Sequence, residues 1–186
     1  MNMMSVIICP GVHPPELTQE FLRNLSVAPA NLLIFPTEKY PAFSAIDVLQ
    51  FLKENQSLDV PVVFIGFSAG VVGAIGAAWG WQLLGGEVKA LIALDGWGVT
   101  LAGNFPIHRL SHDHFTHWSS ALLGAGEDSF YADPPVEHLE LWRSPYTVQG
   151  WWVQSITGKS EHRRWITAGH FLNMLLEQYT AISVNN

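Results

Sequence analysis

Residues 61–86 read PVVFIGFSAGVVGAIGAAWGWQLLGG, and the reading of this stretch decides the fold. Val62-Val63-Phe64-Ile65 is a β-branched and aromatic run, the mark of a strand buried on both faces. Val71 to Leu84 is apolar, rich in Gly and Ala, and long enough for a helix. Between them lies Gly66-Phe67-Ser68-Ala69-Gly70, a G-x-S-x-G pattern. The pattern alone is common. Set between a strand and a helix it becomes specific, because that is the context of a sharp strand-to-helix turn that lifts a serine hydroxyl above the strand end.

Each residue type has a physical reason there. The turn holds Ser68 in a strained backbone conformation. Gly66 and Gly70 lack a Cβ, so strand and helix can pass closely. The helix N-terminus aims free N–H groups and a positive dipole end at the hydroxyl. An oxyanion formed on an acyl group at Ser68 would meet the Ala69 N–H. Gly73, Ala74, Gly76, Ala77 and Gly80 predict a helix lying close to a sheet. A membrane span across residues 61–86 is the competing reading, since no charge falls between Asp59 and Glu87. Pro61 and the β-branched start favour the strand.

Outward from this centre, the chain alternates. Ser5 to Cys9 predicts a strand, Glu16 to Leu25 a helix, Asn31 to Phe35 a strand, Ser44 to Lys53 a helix capped by Ser44, and Val88 to Leu94 a further strand ending at Asp95-Gly96. Such alternation predicts right-handed crossovers and a mostly parallel sheet, with sites at the carboxyl ends of the strands. The Gly11 turn, Ser68 and Asp95 all fall at such ends. Beyond Thr100 the pattern weakens. Ser119 to Leu123 reads as a short strand. Pro134-Pro135 opens a helix through Trp142, and Ser144-Pro145 opens another to about Gln154. Arg163 to Thr167 reads as the last strand, Ala168-Gly169-His170 as a turn, and Phe171 to Tyr179 as the final helix.

Composition sets bounds. The chain has 186 residues, 48% of them hydrophobic and 13% charged, which predicts one globular domain with a real core. A net charge of −7 argues against a nucleic-acid surface, and Arg163-Arg164 is the one basic pair. Cys9 is the single cysteine, so no internal disulfide can form. No charged leader or long apolar leader stands at the N-terminus. These features lead us to expect a cytoplasmic protein with no membrane association. Most of the eight tryptophans are expected in the core.

A serine hydroxyl needs a base within hydrogen-bonding reach to become a nucleophile. His170 is the candidate base, in the turn between the last strand and the last helix. Four histidines, His108, His112, His114 and His117, crowd one segment. His112-Asp113-His114 and His114/His117 invite a metal reading. No H-E-x-x-H or cysteine set accompanies them, so the segment is expected to be a polar loop at a site rim, with no metal.

These pieces in order resemble a short, lidless α/β-hydrolase: Cys9-Pro10-Gly11-Val12-His13 as the oxyanion loop, Gly66-Phe67-Ser68-Ala69-Gly70 as the nucleophile elbow, and Ala168-Gly169-His170-Phe171 as the histidine turn. The resemblance spans nearly the whole chain, which starts at what would be the third strand of the family. It implies a single domain with a reduced strand number and no large cap. It implies a serine hydrolase cleaving a carboxylic ester or thioester of a small acyl substrate without a cofactor, through a Ser-Asp-His triad. The oxyanion donors would be the backbone N–H groups of Ala69 and of Val12 or His13. The acid is open. Asp95 follows a strong strand beside the nucleophile strand. Asp128 ends Gly124-Ala125-Gly126-Glu127-Asp128, a loose match to the usual strand-Gly-x-x-Asp segment, and Asp133 and Asp113 are further candidates. Trp97, Phe67 and Trp118 are candidates for an apolar acyl pocket. The rival reading is a catalytically inactive hydrolase fold used as a binding protein.

Overall fold

The computed structural model describes residues 4–23, 25, 32–96, 98–154 and 161–181. Eight strands form one sheet: β1 (Ser5–Cys9), β2 (Leu32–Ile34), β3 (Val62–Phe67), β4 (Val88–Leu94), β5 (Ile107–Ser111), β6 (Ser129–Ala132), β7 (Gln149–Gln154) and β8 (His162–Thr167). Their order across the sheet is β2-β1-β3-β4-β5-β6-β7-β8. Every pairing from β2 through β6 is parallel. The last two pairings, β6–β7 and β7–β8, are antiparallel.

Among the described residues six helices cover the sheet: α1 (Pro15–Arg23), α2 (Ala45–Asn55), α3 (Ala69–Leu83), α4 (His114–Ala121), α5 (His138–Arg143) and α6 (Ala168–Ala181). Alternate residues of the central strands point to opposite faces, as the pleat requires. Ile8, Ile65 and Ile92 pack with Phe21 of α1, Trp142 of α5 and Leu172 of α6. Ile7, Phe64 and Leu91 pack with Leu52 of α2 and Trp81 of α3. Helices cover both faces, so β3 is buried along its whole length. This is why its sequence is apolar without alternation.

The start of α1 at Pro15 and the Ser44 cap of α2, whose Oγ accepts from the Asp47 N–H, agree with the sequence. Stretch 61–86 resolves into β3 and the 15-residue α3. Among the described residues no helix is long and apolar enough to cross a membrane. Ala74 and Ala77 of α3 pack against the sheet as expected, but its glycines serve a different neighbour. A Cβ on Gly73 would stand 2.5 Å from Ala42 O, one on Gly76 2.5 Å from the Ala45 Cβ, and one on Gly80 2.6 Å from the Leu49 Cδ2. The glycine row therefore lets α2 and its entry lie close to α3.

The second half departs from expectation. Ser119 to Leu123 is not a strand: residues through Ala121 belong to α4, capped by Asp113, whose Oδ1 accepts from the Thr116 N–H. Ser144-Pro145 does not open a helix. It makes a turn closed by Thr147 N–H to Ser144 O at 3.0 Å, and Gln149–Gln154 becomes a strand. Its residues, QGWWVQ, suit a pleated surface, and Gly150 lies so close to the neighbouring strand that a Cβ would stand 2.0 Å from Tyr131 O. Ala168-Gly169-His170 is the first turn of α6 rather than a loop. Among the described residues the sheet has eight strands: β8 contains the expected Arg163 to Thr167, while β5, β6 and β7 were not expected from the sequence.

Candidate active site

Ser68 stands at the carboxyl end of β3, where α3 begins. Its backbone has φ 52° and ψ −122°, a region that side chains other than glycine's rarely occupy. Its N–H is held by Leu94 O at 2.9 Å, and its carbonyl accepts the Val71 N–H at 3.0 Å, so both flanking elements maintain the strain. Gly70 is required by close approach, since a Cβ there would stand 2.1 Å from Cys9 O. A Cβ on Gly11 would stand 3.1 Å from the Ser68 Cβ. The turn after β1 thus lies directly against the serine, with Val12 strongly exposed beside it. The Ser68 Oγ has no hydrogen-bond partner among the described residues.

Asp95 follows β4, the next strand. It too has positive φ, 51°, and its side chain is fully buried. The Asp95 N–H is fixed by Leu110 O at 2.8 Å. From the described residues the carboxylate accepts three hydrogen bonds. His112 donates its backbone N–H to Oδ1 at 2.9 Å and Nδ1 to Oδ2 at 2.9 Å. His138 donates Nδ1 to the same Oδ2 at 2.7 Å. A carboxylate only accepts, so the hydrogen on each ring sits at Nδ1. Burial pushes the Asp95 carboxyl up, but the hydrogen bonds from His112 and His138 and the charge of His112 outweigh it and hold it below the usual range. The bond to Asp95 raises the His112 imidazole against the opposing effect of burial.

His138 is the first residue of α5, and residues 133–137 carry the chain back from the end of β6. Its ring stacks on Phe67 with centroids 4.7 Å apart, which sets it beside the elbow. Phe67 stacks in turn on Trp142 at 5.1 Å, and Trp142 on Phe21 at 3.8 Å. The His138 Nε2 has no partner among the described residues. His112 differs: its Nε2 lies 3.6 Å from the Asp113 carboxylate.

His170 is not brought to Asp95. It lies in the first turn of α6, which starts directly after β8 with no connecting loop, and it is exposed. From β3 to β8 the sheet order counts five strand spacings, about 24 Å at about 4.8 Å each. His170 instead lines a small cavity with Asn173, Met174 and Glu177. Asp128 precedes β6, at the amino ends of the parallel strands and so opposite the carboxyl ends where Ser68 stands, and its carboxylate accepts from Trp152 Nε1 at 2.9 Å. Asp133 accepts from Trp151 Nε1 at 3.0 Å. Phe67 is buried in the ring stack, while Trp118 sits half-exposed on α4. Trp97 lies outside the described residues.

His138 was missed by the sequence reading. Its signal was weak but present: a histidine six residues after the short strand Ser129–Ala132, behind Pro134-Pro135. Of the histidine-rich segment only His112, in the bend after β5, lies in a loop at the site; the other three belong to β5 and α4. His108 is buried in β5, with Nε2 2.6 Å from Tyr179 Oη. His114 and His117 of α4 each lie 5.0 Å from the Tyr131 ring, and His117 Nε2 is 2.9 Å from Ser129 Oγ. The group able to hold a metal among the described residues is Asp95, His112 and His138, whose donor atoms lie within 4.8 Å of one another.

A cavity of about 420 Å³ opens beside Gly11 and Val12, walled by His13, Tyr40 and Phe43.

The mostly parallel sheet, helices on both faces and the strained serine at a strand-to-helix turn define the class: this is an α/β-hydrolase fold. No protein-family model and no curated protein matches the chain. Among solved structures it is similar to YbtT, a type II thioesterase from the yersiniabactin NRPS/PKS biosynthetic pathway. That match has 18% identity and a TM-score of 0.40, covering 50% of this chain and 42% of the thioesterase. A serine-to-alanine variant of YbtT matches at 17% identity with the same TM-score and coverage.

Proposed function

We propose that the chain is a serine hydrolase that cleaves a carboxylic ester or thioester through an acyl-enzyme at Ser68, with His138 as base and Asp95 as acid. One observation carries the assignment. His138 offers Nδ1 to a buried carboxylate at 2.7 Å and keeps Nε2 unpaired among the described residues, beside the strand end that bears Ser68.

The Ser68 Oγ attacks the acyl carbon while its proton passes to His138 Nε2. The resulting imidazolium keeps Nδ1–H on Asp95, whose charge stabilises it and whose bond fixes the tautomer. The oxyanion is met by the backbone N–H groups of Ala69 and of Val12 in the adjacent turn. His138 returns the proton to the leaving alcohol or thiol. Water then attacks the acyl-enzyme, giving its proton to His138, and the acid leaves as Ser68 is reprotonated. The cavity walled by His13, Tyr40 and Phe43 suits one arm of a small acyl substrate. The residues of this route need no cofactor.

The test is labelling by a fluorophosphonate. Wild type should label, Ser68→Ala should not, and His138→Ala should label far more slowly. His170→Ala should label as wild type does. A folded wild type that does not label would favour a binding protein on an inherited fold.

A further inference from the structure

The proposed reaction uses one histidine on the acid, yet Asp95 Oδ2 takes the Nδ1 of two. We infer that Asp95, His112 and His138 form a binding site for a divalent ion of the zinc class, and that filling it switches Ser68 off. The switching clause rests on the hydrolase reading; the binding clause does not.

The donor set carries the choice of ion. Two imidazole nitrogens and one carboxylate oxygen suit zinc and its neighbours, whereas calcium and magnesium take oxygen ligands. Zinc binds imidazole nitrogen at about 2.0–2.1 Å, so donors at the corners of its tetrahedron stand about 3.4 Å apart. The two nitrogen–oxygen separations here are 2.9 and 2.7 Å. A shift of roughly half an ångström per ring would open the group to a tetrahedral ion. The rings meet nearly edge-on, 78° between planes and 5.8 Å between centroids, and both Nδ1 atoms converge on one point.

Access and support fit as well. The Asp95 side chain is fully buried, while those of His112 and His138 are 23% and 35% exposed. The carboxylate forms the floor and the rings form walls open to water, which leaves a position for a fourth, solvent ligand. The His112 backbone N–H on Asp95 Oδ1 fixes the carboxylate's orientation, as partners of metal ligands do.

The switch follows from the tautomer. Metal binding needs the lone pair at Nδ1, so the ring hydrogen of neutral His138 moves to Nε2. An Nε2–H has no lone pair to take the Ser68 proton. A neutral ring gains and loses no proton overall, and an imidazolium releases one from Nδ1. The ion would thus slow acylation without filling the cavity beside Gly11.

The experiment is equilibrium dialysis of the full chain, stripped with a chelator, against buffered free Zn²⁺, with bound zinc measured by mass spectrometry. One ion per chain is expected in wild type and in Ser68→Ala. His112→Gln and His138→Gln should each weaken binding by more than about 10-fold, since even a ligand's outer partner is worth that much. His114→Gln and His117→Gln should bind as wild type does. Unchanged binding in both His112→Gln and His138→Gln overturns the site, as does saturation below one ion. Circular dichroism establishes that each variant is folded. Wild type loaded with Co²⁺ needs no variant: strong visible bands of a four-coordinate ion support the site, and weak octahedral bands overturn it. Zn²⁺ should slow fluorophosphonate labelling of wild type in step with occupancy. Undiminished labelling of the loaded protein overturns the switch alone. A wild type that never labels overturns the hydrolase reading, while the dialysis still decides the site.

Discussion

Phe67 and His138 stack with ring centroids 4.7 Å apart and planes inclined by 25°. The contact joins the residue just before the proposed nucleophile to its proposed base. Behind Phe67 the stack continues through Trp142 to Phe21, so the imidazole leans on a column rooted in the core. Orientation of a base within a fraction of an ångström is worth much of its effect. Phe67→Leu keeps the site apolar but removes the flat face. We expect kcat to fall by as much as about 100-fold with KM little changed, read from steady-state hydrolysis of a small aryl ester. An unchanged kcat would mean that Asp95 alone orients the ring.

The two histidines at helix starts separate cleanly. His138→Ala should lower the rate by about 10²- to 10⁴-fold, the range for a general base. His170→Ala should leave it within about twofold, as expected of an exposed residue away from the reacting groups. The reverse pattern would return the base to α6 and demand a different chain path after β6.

Ser68 holds its strained backbone at a cost. Ser68→Gly should raise stability by about 1 kcal/mol, measured by urea denaturation, while abolishing labelling. A loss of stability would show that the side chain contributes more than the strain costs.

His112 and His117 predict opposite pH slopes. His112 is raised in the folded state by its bond to Asp95. Its contribution is fully present below the unfolded value of about 6.5 and fades as pH rises through the raised value. Burial first, then the charges of Arg109 and His114, push His117 down to about 4. Its contribution is present above about 6.5 and fades as pH falls toward the lowered value. Thermal melts of His112→Gln should therefore lie furthest below wild type in mild acid. The His117→Gln deficit should shrink as pH falls from neutral. Parallel curves for the two variants would contradict both assignments.

The first half of the fold was legible because β1, β3 and β4 are buried on both faces and so read as plain apolar runs. The serine turn was legible for the same reason, and Asp95 stood out as an Asp-Gly pair after a strong strand. The second half hid itself through polar burial. Strand β5 reads IHRLS, yet all five residues are buried. Arg109 is accommodated by Nη1 bonds to His117 O and Ser120 Oγ and by an Nε bond to Ala125 O. No periodicity signals such a strand. Reading Ser144 to about Gln154 as a helix hid β7, and with it the antiparallel pair that carries His170 away from the elbow. With β7 restored, the last strand moves to the sheet's margin, and the histidine after β6 takes the place beside Asp95.

The last two strands also decide what the sheet offers to other chains. One margin is β2, only three residues long. The other is β8, whose exposed stretch carries Arg163 and Arg164, the former paired with Glu161 at 2.9 Å. A short margin and a charged one are both poor templates for a foreign strand. The price of the misleading final hairpin is thus repaid as protection: without β7 and β8, the short uncharged strand β6 would form the open border of the sheet.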